Sequence, residues 1–463
     1  MSIELGGKNV LVVGLGRSGI AAAQLCAARG ARVTATDRRP AAALDAALAR
    51  LPRGVVRELG GHRAESFLRA DLIVLSPGVP EIPELAAARA AGVAITGEME
   101  LASRFISATL VAITGTNGKS TTTTLVGDML RATGRPTFVG GNLGEPLAEA
   151  VGTPAALAGG FCVVEASSFQ LETTETFHPR VAALLNVTAD HLDRYPDLAA
   201  YADTKARIFA AQSADDYAVV NLDDPRVVAA TDHTHSRRIG FSLAGPLDGG
   251  AWIDQIDQGA LLVRLPGGEI ERYPARLQSL VGRHNQANAL AALLLGRLAG
   301  ASADEARRAL AAFRPLAHRM ELVAVRQGIA YYDDSKGTNV GAVVAALEGF
   351  PRRVVLIAGG RDKGGDYAPL AATLAQVGRA AVLIGEAADK MQAALAAVLP
   401  VERAATLDDA VDAARRLAQP GDAVVLSPAC SSFDMFRDYA HRAEVFRAAV
   451  ARQVDRPGRQ VSP

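Results

Sequence analysis

Leu110-Val-Ala-Ile-Thr-Gly-Thr-Asn-Gly-Lys-Ser-Thr-Thr-Thr-Thr124 is the stretch that decides the fold of this chain. Its apolar start predicts a buried strand, and the residues from Thr121 to Leu130 predict a helix. Between them lies a glycine-rich turn, where backbone N–H groups and the helix dipole favour an anion. Lys119 is placed to reach terminal phosphate oxygens, and the Ser120 hydroxyl is placed to bind Mg²⁺. The stretch therefore predicts a phosphate-binding loop between a strand and a helix.

This loop departs from the common pattern G-x-x-x-x-G-K-S/T, which needs a glycine where the chain has Ile113. Its glycines are Gly115 and Gly118, which gives the compact form G-T-N-G-K-S. A tight strand-to-helix turn that happens to hold a lysine is the structural alternative. We favour phosphate binding, because a predicted strand precedes the turn and a predicted helix follows it. Taken alone, the loop fits a kinase or an ATPase.

Length and charge narrow the class of protein. A chain of 463 residues predicts roughly three domains. Lysine plus arginine equals aspartate plus glutamate at 49 each, so no basic field attracts nucleic acid and phosphate binding must be local. The three cysteines, Cys26, Cys162 and Cys430, lack metal-ligand spacing and suit a reducing cytosol. We expect no signal peptide and no membrane insertion, since no apolar run has the required length or flanks.

The first segment has the pattern of a dinucleotide-binding fold. Asn9 to Val13 predicts a strand, and Gly14-Leu-Gly-Arg-Ser-Gly19 supplies a G-x-G-x-x-G turn before a predicted helix. Asp37 follows the next predicted strand, as the acidic residue of that fold does. At face value this predicts an NAD-binding oxidoreductase, and Arg38 with Arg39 would suggest NADP. The physics itself predicts only a nucleotide phosphate near a helix N-terminus.

A second loop of this segment is Ser76-Pro-Gly78, which follows the predicted strand Leu72 to Leu75. In an open α/β sheet, loops at the carboxyl ends of the strands line one crevice. The loop is therefore a candidate ligand contact, and a plain turn is the alternative.

Carboxylates follow predicted strands of the central segment. Glu165 ends the strand that starts at Phe161, where a carboxylate downstream of a phosphate loop is well placed to hold Mg²⁺. A free surface glutamate is the alternative. Asp190, His191 and Asp193 crowd the loop after the next strand and are compatible with a metal or phosphate site, although a solvated turn has the same composition.

Three further polar residues of this segment have two interpretations each. Lys205 lies in a predicted helix from Leu198 to Ala211, and its residue type and apolar neighbours indicate a surface lysine that extends its stem over the protein. Asn285 and Asn288 are three apart near the start of a long helix, where they would cap it or meet a nucleotide base. Residues 241–273, with short alternating pieces split by glycine and proline, predict small antiparallel strands.

The third segment begins after a linker at residues 313–316, and its strands alternate with helical runs. Arg319, Lys336 and Lys363 stand on predicted loops at strand ends or just before a strand, where they would bind a carboxylate or a terminal phosphate. Each alone is an ordinary surface cation. We expect an α/β protein of three domains: a Rossmann-like domain at 1–97, a P-loop ATPase-type domain with a small antiparallel part at 98–315, and a second Rossmann-like domain at 316–463.

Four motifs together resemble the Mur ligases, the ATP-dependent amide-forming enzymes of peptidoglycan precursor synthesis. They are Ile113 to Thr121, Glu165-Ala-Ser-Ser-Phe-Gln170, Asn186-Val-Thr-Ala-Asp-His-Leu-Asp193 and His284-Asn-Gln-Ala-Asn288. The resemblance covers the whole chain in the family's domain order. Folylpolyglutamate synthetases share the ATP core but lack the first domain.

Two more motifs, Asp334-Ser-Lys-Gly-Thr-Asn339 and Ser427-Pro-Ala-Cys-Ser-Ser-Phe-Asp434, are similar to those of the family members that add D-glutamate. The resemblance implies UDP-N-acetylmuramoyl-L-alanine, D-glutamate and ATP as substrates, two Mg²⁺ ions, and a monomer in the cytoplasm. It also implies that Lys205 is carbamylated and holds the second Mg²⁺, which would overturn the surface interpretation.

The implied site residues fall into four groups. The ATP site comprises Gly115, Thr116, Asn117, Gly118, Lys119, Ser120, Thr121, Asn285, Asn288, Arg319 and Asp334. The uridine-nucleotide pocket comprises Leu15, Gly16, Arg17, Ser18, Asp37, Arg38, Ser76, Pro77 and Gly78, so its glycine turn would not bind NAD. Asn142 contacts the muramoyl end, and Lys336, Thr338, Lys363, Ser432, Phe433 and Tyr439 form the amino-acid pocket. Ser120, Glu165, His191 and carbamylated Lys205 bind metal, and Lys119, His191 and Lys205 are the catalytic residues.

Two departures and two rival functions accompany the resemblance. Ala443 stands where the family usually has glycine, and Phe433 stands where leucine is common. A dehydrogenase built on the first glycine turn would leave the phosphate loop without a role. A non-catalytic nucleotide-binding regulator is disfavoured by the metal-type carboxylates.

Overall fold

The computed structural model describes residues 3–256, 259–274, 282–314 and 316–452. They form three β-sheets with helices between the strands, which confirms the predicted α/β fold. Backbone contacts divide the chain into two units, one of residues 1–186, 201–277 and 287–313, the other of residues 187–200, 278–286 and 314–463. Pro315 of the predicted linker and residues 453–463 lie outside the described residues. None of the described helices is long and apolar enough to cross a membrane.

The first sheet has five parallel strands in the order β3-β2-β1-β4-β5. Its elements are Asn9–Val13 (β1), Arg17–Ala28 (α1), Arg32–Asp37 (β2), Asp45–Leu48 (α2), Val56–Leu59 (β3), Ala64–Leu68 (α3), Leu72–Leu75 (β4), Pro83–Ala90 (α4), Ala94–Gly97 (β5) and Glu98–Ser103 (α5). The apolar residues of β1 are buried, as a central parallel strand requires. Gly19 lets α1 pack on the turn after β1, since a Cβ there would lie 1.8 Å from the Gly14 oxygen.

The second sheet has nine strands in the order β14-β13-β12-β11-β10-β9-β6-β8-β7. Its elements, with the helices that follow in sequence, are Thr109–Thr114 (β6), Lys119–Arg131 (α6), Thr137–Gly141 (β7), Phe161–Glu165 (β8), Ser168–Leu171 (α7), Val181–Leu184 (β9), Leu198–Ala206 (α8), Tyr217–Asn221 (β10), Pro225–Ala230 (α9), Arg237–Ser242 (β11), Gly250–Ile253 (β12), Leu261–Arg264 (β13), Ile270–Tyr273 (β14), Arg283–Ala299 (α10) and Ala303–Ala312 (α11). Strands β12, β13 and β14 pair antiparallel, which confirms the prediction for that region.

One edge strand of this sheet is rich in glycine. Strand β7 extends through Gly141 and pairs in parallel with β8. The glycines let the edge strand approach its neighbours closely. A Cβ on Gly141 would lie 2.4 Å from the Glu165 oxygen, so the strand accepts only glycine at that point.

The third sheet has six strands in the order β15-β16-β20-β17-β18-β19. Its elements are Glu321–Arg326 (β15), Ile329–Asp333 (β16), Val340–Leu347 (α12), Val354–Gly359 (β17), Ala368–Val377 (α13), Gly378–Ile384 (β18), Ala388–Leu395 (α14), Val401–Arg403 (β19), Leu407–Leu417 (α15), Ala423–Leu426 (β20) and Tyr439–Arg452 (α16). All neighbours are parallel except β15, which is an antiparallel edge strand. Because β16, β20 and β17 are adjacent, the loops after them meet at one edge of the sheet.

A buried carboxylate anchors helix α5, which connects the first sheet to the second. Glu100 accepts hydrogen bonds from the backbone N–H groups of Glu175, Thr176 and Phe177, from the Thr176 hydroxyl and from Arg104. Burial alone would raise the pKa of Glu100, but the hydrogen bonds from Thr176, Glu175 and Arg104 outweigh burial and lower the pKa. The connecting helix is thus held by an ionised side chain.

We expect Glu100→Gln to lower the free energy of unfolding at pH 7 by about 2 kcal/mol, because an amide NH₂ then faces N–H donors. The folded-state pKa lies below the unfolded value of about 4.3, so the carboxylate stabilises the fold above that pH and loses this effect as pH falls through the folded pKa. Urea unfolding at several pH values should show that the difference in unfolding free energy between wild type and Glu100→Gln shrinks below about pH 4.3. Glu84→Gln, at a partly exposed carboxylate, is the matched control. A stability difference that does not vary with pH would contradict the assignment.

Candidate functional site

The phosphate loop is shaped by two glycines. Gly115 and Gly118 have φ values of 152° and 83°, in the region that favours glycine. A Cβ on Gly118 would also lie 2.1 Å from Oδ1 of Asn288, a residue predicted to bind nucleotide. Lys119 is the first residue of α6, and its Nζ donates to the Gly115 and Thr116 oxygens at 2.8 Å each. The loop therefore curls around the lysine that is predicted to contact the phosphates.

Asn186 holds this loop in place, a role that the sequence analysis did not assign. Its Oδ1 accepts from the Asn117 N–H at 2.8 Å, and its Nδ2 donates to the Asn117 oxygen at 3.0 Å. The Thr116 N–H donates to the backbone oxygen of Asn186 at 2.9 Å. The available signal was its position soon after β9, the strand beside β6.

Glu165 ends β8 in register with Ile113 of β6, beside the start of the phosphate loop. The residue is 2% exposed, so the surface alternative is wrong. Oε1 accepts from Asn142 Nδ2 at 2.7 Å, while Oε2 is buried and makes no hydrogen bond within the described part of the chain. A buried carboxylate oxygen that has no hydrogen-bond donor among the described residues suits a divalent cation. The neighbouring phosphate loop supplies the Ser120 hydroxyl. These residues fit Mg²⁺.

Lys205 is 1% exposed, which overturns its interpretation as a surface lysine. Its Nζ donates to the Gly115 oxygen at 2.9 Å and lies 4.4 Å from the centroid of the Tyr201 ring. Two lysines, 119 and 205, thus donate to the same carbonyl oxygen of the phosphate loop. The burial results from packing between residues 90 positions apart, which local sequence cannot reveal.

A cavity of about 260 Å³ lies at the carboxyl edge of the first sheet, where the predicted nucleotide residues gather. It is lined by Gly16, Asp37, Arg38 and the loop 76–78 among others. The buried Asp37 carboxylate accepts from the Leu15 N–H at 2.8 Å and from the Arg39 guanidinium at 2.7 and 3.0 Å. Burial would raise the pKa of Asp37, but these bonds lower it to about 2. Asp37 is therefore ionised at neutral pH and braces the glycine turn.

Arg17 and Ser18, also predicted here, open helix α1. Arg17 forms an exposed ion pair with Glu145 at 2.8 Å. Such a pair contributes little stability, so the Arg17 side chain is available to a ligand at small cost.

In the other unit, the loops after β16 and β20 are joined by a buried carboxylate. Asp334 accepts from the Ser427 hydroxyl at 2.5 Å and from the Met320 N–H at 3.3 Å. Burial raises the pKa of Asp334 to about 7. Lys336, two residues later, lies 5.4 Å from the centroid of the Tyr439 ring. Ser432 is buried in the second loop, and Phe433 beside it is 65% exposed.

Arg442 fastens these two loops from inside. It is fully buried at the start of α16, and its guanidinium donates to the Ser335 oxygen at 2.9 Å and to the Cys430 oxygen at 3.3 Å. Burial lowers the pKa of Arg442 to about 10, so it still carries its charge at neutral pH. One cation thus sets the spacing of the backbones that carry Lys336 and Ser432.

Lys363, after β17, pairs with an acidic residue of the 187–200 segment. Its Nζ lies 3.0 Å from Oδ1 of Asp190, and Asn339 Nδ2 donates to Oδ2 of the same carboxylate at 3.2 Å. His191 has a left-handed backbone, with φ of 55°, and its Nε2 lies 3.7 Å from Oδ2 of Asp190. The predicted metal loop therefore presents a carboxylate to a predicted substrate lysine.

Within the described ranges, one group of acidic and histidine side chains has metal-like spacing, namely His318, Glu321 and Asp333. Arg447 already forms ion pairs with both carboxylates, and His318 Nδ1 bonds Asp333 at 2.8 Å. The cluster is therefore an ion-pair network rather than a candidate cation site.

The predicted residues divide between the two units. The first unit contains Leu15, Gly16, Arg17, Ser18, Asp37, Arg38, Ser76, Pro77, Gly78, residues 115–121, Asn142, Glu165, Lys205 and Asn288. The second contains His191, Asn285, Arg319, Asp334, Lys336, Thr338, Lys363, Ser432, Phe433 and Tyr439.

Family models match most of the chain. The Mur ligase MurD-like N-terminal domain matches residues 8–97, the Mur ligase middle domain matches 113–296, and the Mur ligase glutamate ligase domain matches 318–430.

Curated relatives match nearly the full length. The chain is 49% identical over 450 residues to the UDP-N-acetylmuramoylalanine–D-glutamate ligase of Geotalea daltonii, covering 97% of this chain and 98% of that protein. It is 50% identical over 461 residues to the protein of the same name from Anaeromyxobacter dehalogenans, covering 97% and 99%. Among solved structures, a pseudomurein peptide ligase type C from Methanothermus fervidus shares the fold, with a TM-score of 0.61 and 16% identity over 96% of this chain and 100% of that one.

We expect Arg442→Lys to loosen both loops, because one ammonium group cannot reproduce the forked donors of the guanidinium. Hydrogen exchange measured by mass spectrometry should show at least about fivefold faster exchange in peptides covering 334–338 and 429–433, as expected when roughly 1 kcal/mol of local protection is lost. Peptides of the first sheet should be unchanged. Arg437→Lys, at an exposed arginine just before α16, is the control. Unchanged exchange in both loops would show that Arg442 does not hold them.

Proposed function

This chain belongs to the Mur ligase family, and we propose that it joins D-glutamate to UDP-N-acetylmuramoyl-L-alanine in an ATP-dependent step of peptidoglycan precursor synthesis. One observation carries the proposal on the structural side. The compact phosphate loop has Lys119 at its helix end and the open oxygen of Glu165 on the neighbouring strand. That arrangement fits phosphoryl transfer and has no place in a dehydrogenase.

We assign the ATP phosphates to residues 115–121. Backbone N–H groups at the N-terminus of α6 and the Lys119 ammonium would stabilise the transferred phosphoryl group. Asn288, against Gly118, and the predicted residues Asn285, Arg319 and Asp334 are assigned to the rest of the nucleotide on resemblance.

Two Mg²⁺ ions are part of the proposal. Ser120 and Glu165 would hold the first, with Glu165 supplying the free Oε2. Bound Mg²⁺ neutralises charge on the phosphates and so lowers the repulsion between ATP and a carboxylate. Asn142 keeps the other Glu165 oxygen oriented, and we assign Asn142 and His191 to the muramoyl end or its metal on resemblance.

The second Mg²⁺ would require a carbamate on Lys205. The lone pair of neutral Nζ attacks the carbon of CO₂, an N–C bond forms and one N–H proton passes to solvent, which leaves an anionic oxygen ligand. The change would replace a cation beside the Gly115 oxygen with an anion.

The UDP group is assigned to the cavity of the first sheet. A glycine turn before α1 suits a diphosphate, and the loop 76–78 also lines the cavity. The amino acid is assigned to Lys336, Thr338, Lys363, Ser432, Phe433 and Tyr439 of the second unit, where two lysines can meet the two carboxylates of glutamate.

The reaction then follows in two steps. A carboxylate oxygen of the alanyl group attacks the γ-phosphorus of ATP, the bond to ADP breaks and an acyl phosphate forms. The glutamate amine attacks the carbonyl carbon, loses a proton and expels phosphate as the amide forms. The chain's own residues contribute positioning and charge stabilisation, which are the main sources of rate in such transfers.

Two further parts of the proposal concern the domain bounds and the cellular location. The matched family models support domain bounds near 97 and 315. Substrates such as ATP and a UDP-linked sugar support a cytoplasmic location.

We expect ATP-dependent phosphate release only when UDP-N-acetylmuramoyl-L-alanine and D-glutamate are both present. Phosphate should be measured with a panel of D- and L-amino acids, since the two carboxylates of the substrate must fit the fixed lysines. L-glutamate should give less than a tenth of the D-glutamate rate. Phosphate release that is independent of any amino acid would favour a plain ATPase, and none with any amino acid would favour a regulator.

We expect Lys205→Ala to lose at least about 1,000-fold in kcat, because the ligand of one metal is removed. Bicarbonate plus a short carboxylate such as acetate should restore part of the rate, since the added anion can occupy the space of the carbamate. Lys8→Ala is the control, at a partly exposed lysine outside the site. Full activity of Lys205→Ala without additives would contradict the carbamate role.

A further inference from the structure

A groove of about 680 Å³ lies on the first sheet, at the amino-terminal ends of strands β1, β2 and β3. The cavity assigned to UDP lies at the opposite, carboxyl-terminal ends of the strands, and the two share no lining residue. The sequence analysis assigned no role to the residues of the groove. Its volume falls within the range of about 300 to 1,000 Å³ that is typical of small-molecule sites.

The floor of the groove is one face of the sheet. Leu11, Thr34 and Val56 are paired in register across β1, β2 and β3, so their side chains lie on the same face. On β1 this face is covered, because Leu11 is 1% exposed and packs in one cluster with Phe67 and Ala70 of the α3 region. On β3 the face is not covered, because Val56 is 56% exposed. The groove therefore offers an apolar surface to a ligand.

Three arginines from different elements line the groove, and no acidic side chain is among the lining residues that the structure describes. Arg32 starts β2, Arg53 precedes β3, and Arg69 follows α3. The acidic neighbours are already engaged, since Glu65 pairs with Arg69 and Asp71 accepts a backbone N–H at 2.8 Å. The groove therefore has an excess of positive charge.

The guanidinium groups keep donors for a ligand. Arg32 Nε donates to Asn9 Oδ1 at 2.9 Å, which orients the side chain, while its two terminal nitrogens make no hydrogen bond to any residue that the structure describes. The side chain of Arg53 forms neither a hydrogen bond nor an ion pair within the described ranges. Arg69 pairs with Glu65 on the surface, and such an exposed pair contributes little stability, so it can give way to a ligand.

The combination of three cations and an apolar floor indicates the chemistry of the ligand. A phosphate monoester carries nearly two negative charges at neutral pH and offers three acceptor oxygens. Guanidinium groups bind such oxygens with paired N–H donors. A single carboxylate carries one charge and would leave part of the cluster without a counter-ion. The groove therefore suits a phosphate group attached to an apolar or ring-shaped body.

We propose that this groove is a second ligand site of the first sheet and binds a phosphorylated small molecule. The phosphate contacts Arg32, Arg53 and Arg69, and the rest of the molecule lies on Thr34 and Val56. The inference is independent of the proposed function, because none of the residues assigned to that reaction lines the groove.

The test uses phenyl phosphate as the probe and the methyl NMR signals of leucine and valine in the full chain as the readout. The Val56 signals, assigned by their loss in Val56→Ala, should shift saturably with a Kd of about 1 mM, as expected for a ligand of this size. Val79 lines the cavity at the other ends of the strands and reports binding there separately. Inorganic phosphate, which lacks the ring, and benzoate, which has a ring but one charge, should each bind at least about fivefold more weakly.

Two variants test the arginines. Arg32→Gln and Arg53→Gln should each weaken phenyl phosphate binding at Val56 about tenfold, since a charge-assisted hydrogen bond is lost. Both arginines are exposed, so methyl signals of the second and third sheets should be unchanged. Arg57→Gln is the matched control, because Arg57 is exposed on the same strand as Val56 and, one residue along, lies on the other face of the sheet.

Four outcomes would contradict the inference. No shift of Val56 at about 10 mM phenyl phosphate, tenfold above the expected Kd, would overturn the site. Equal affinity for benzoate would overturn the assignment to phosphate, and equal affinity for inorganic phosphate would overturn the role of the apolar floor. Affinity that neither Arg32→Gln nor Arg53→Gln lowers, or that Arg57→Gln lowers as much, would overturn the role of the arginines.

Discussion

Two lysines that share one carbonyl oxygen are the constraint around which the central site is built. Lys119 and Lys205 both donate to the Gly115 oxygen, and the backbone there takes a conformation that a side chain would disfavour. The backbone of one residue therefore positions both lysines, so the conformation at Gly115 sets the place of the two side chains together.

The predicted strands and helices agree best with the structure where the sequence signal is local and strong. The phosphate loop follows the apolar residues Leu110 to Ile113 and contains two glycines and a lysine, and the expected strand and helix flank it. Strands β1 and β4 are also largely apolar, and their predicted bounds match the structure. The third sheet was predicted because such strands alternate with helical runs. Strands β3 and β15 were missed, since Val-Arg-Glu-Leu and Glu-Leu-Val-Ala-Val-Arg carry charges and lie at sheet edges.

What the sequence could not show is contact between distant residues. Lys205 looks like any helical surface lysine until its partner, 90 residues earlier, is known. The role of Arg442 becomes visible only when two loops nearly 100 residues apart are seen to meet at its guanidinium. Only the family resemblance predicted that Lys205 belongs to the site, by its position in the chain. It did not identify the supporting residues, which act on backbone atoms.

Glu100 has a consequence for how the sequence can drift. Its carboxylate is held largely by main-chain N–H groups of residues 175–177, which every residue except proline possesses. The exposed side chain at position 175 can therefore change without loosening helix α5, whereas Phe177 is buried in the core and Thr176 also donates its hydroxyl to Glu100. We would thus expect natural variants to differ at 175 and to preserve an acid at 100.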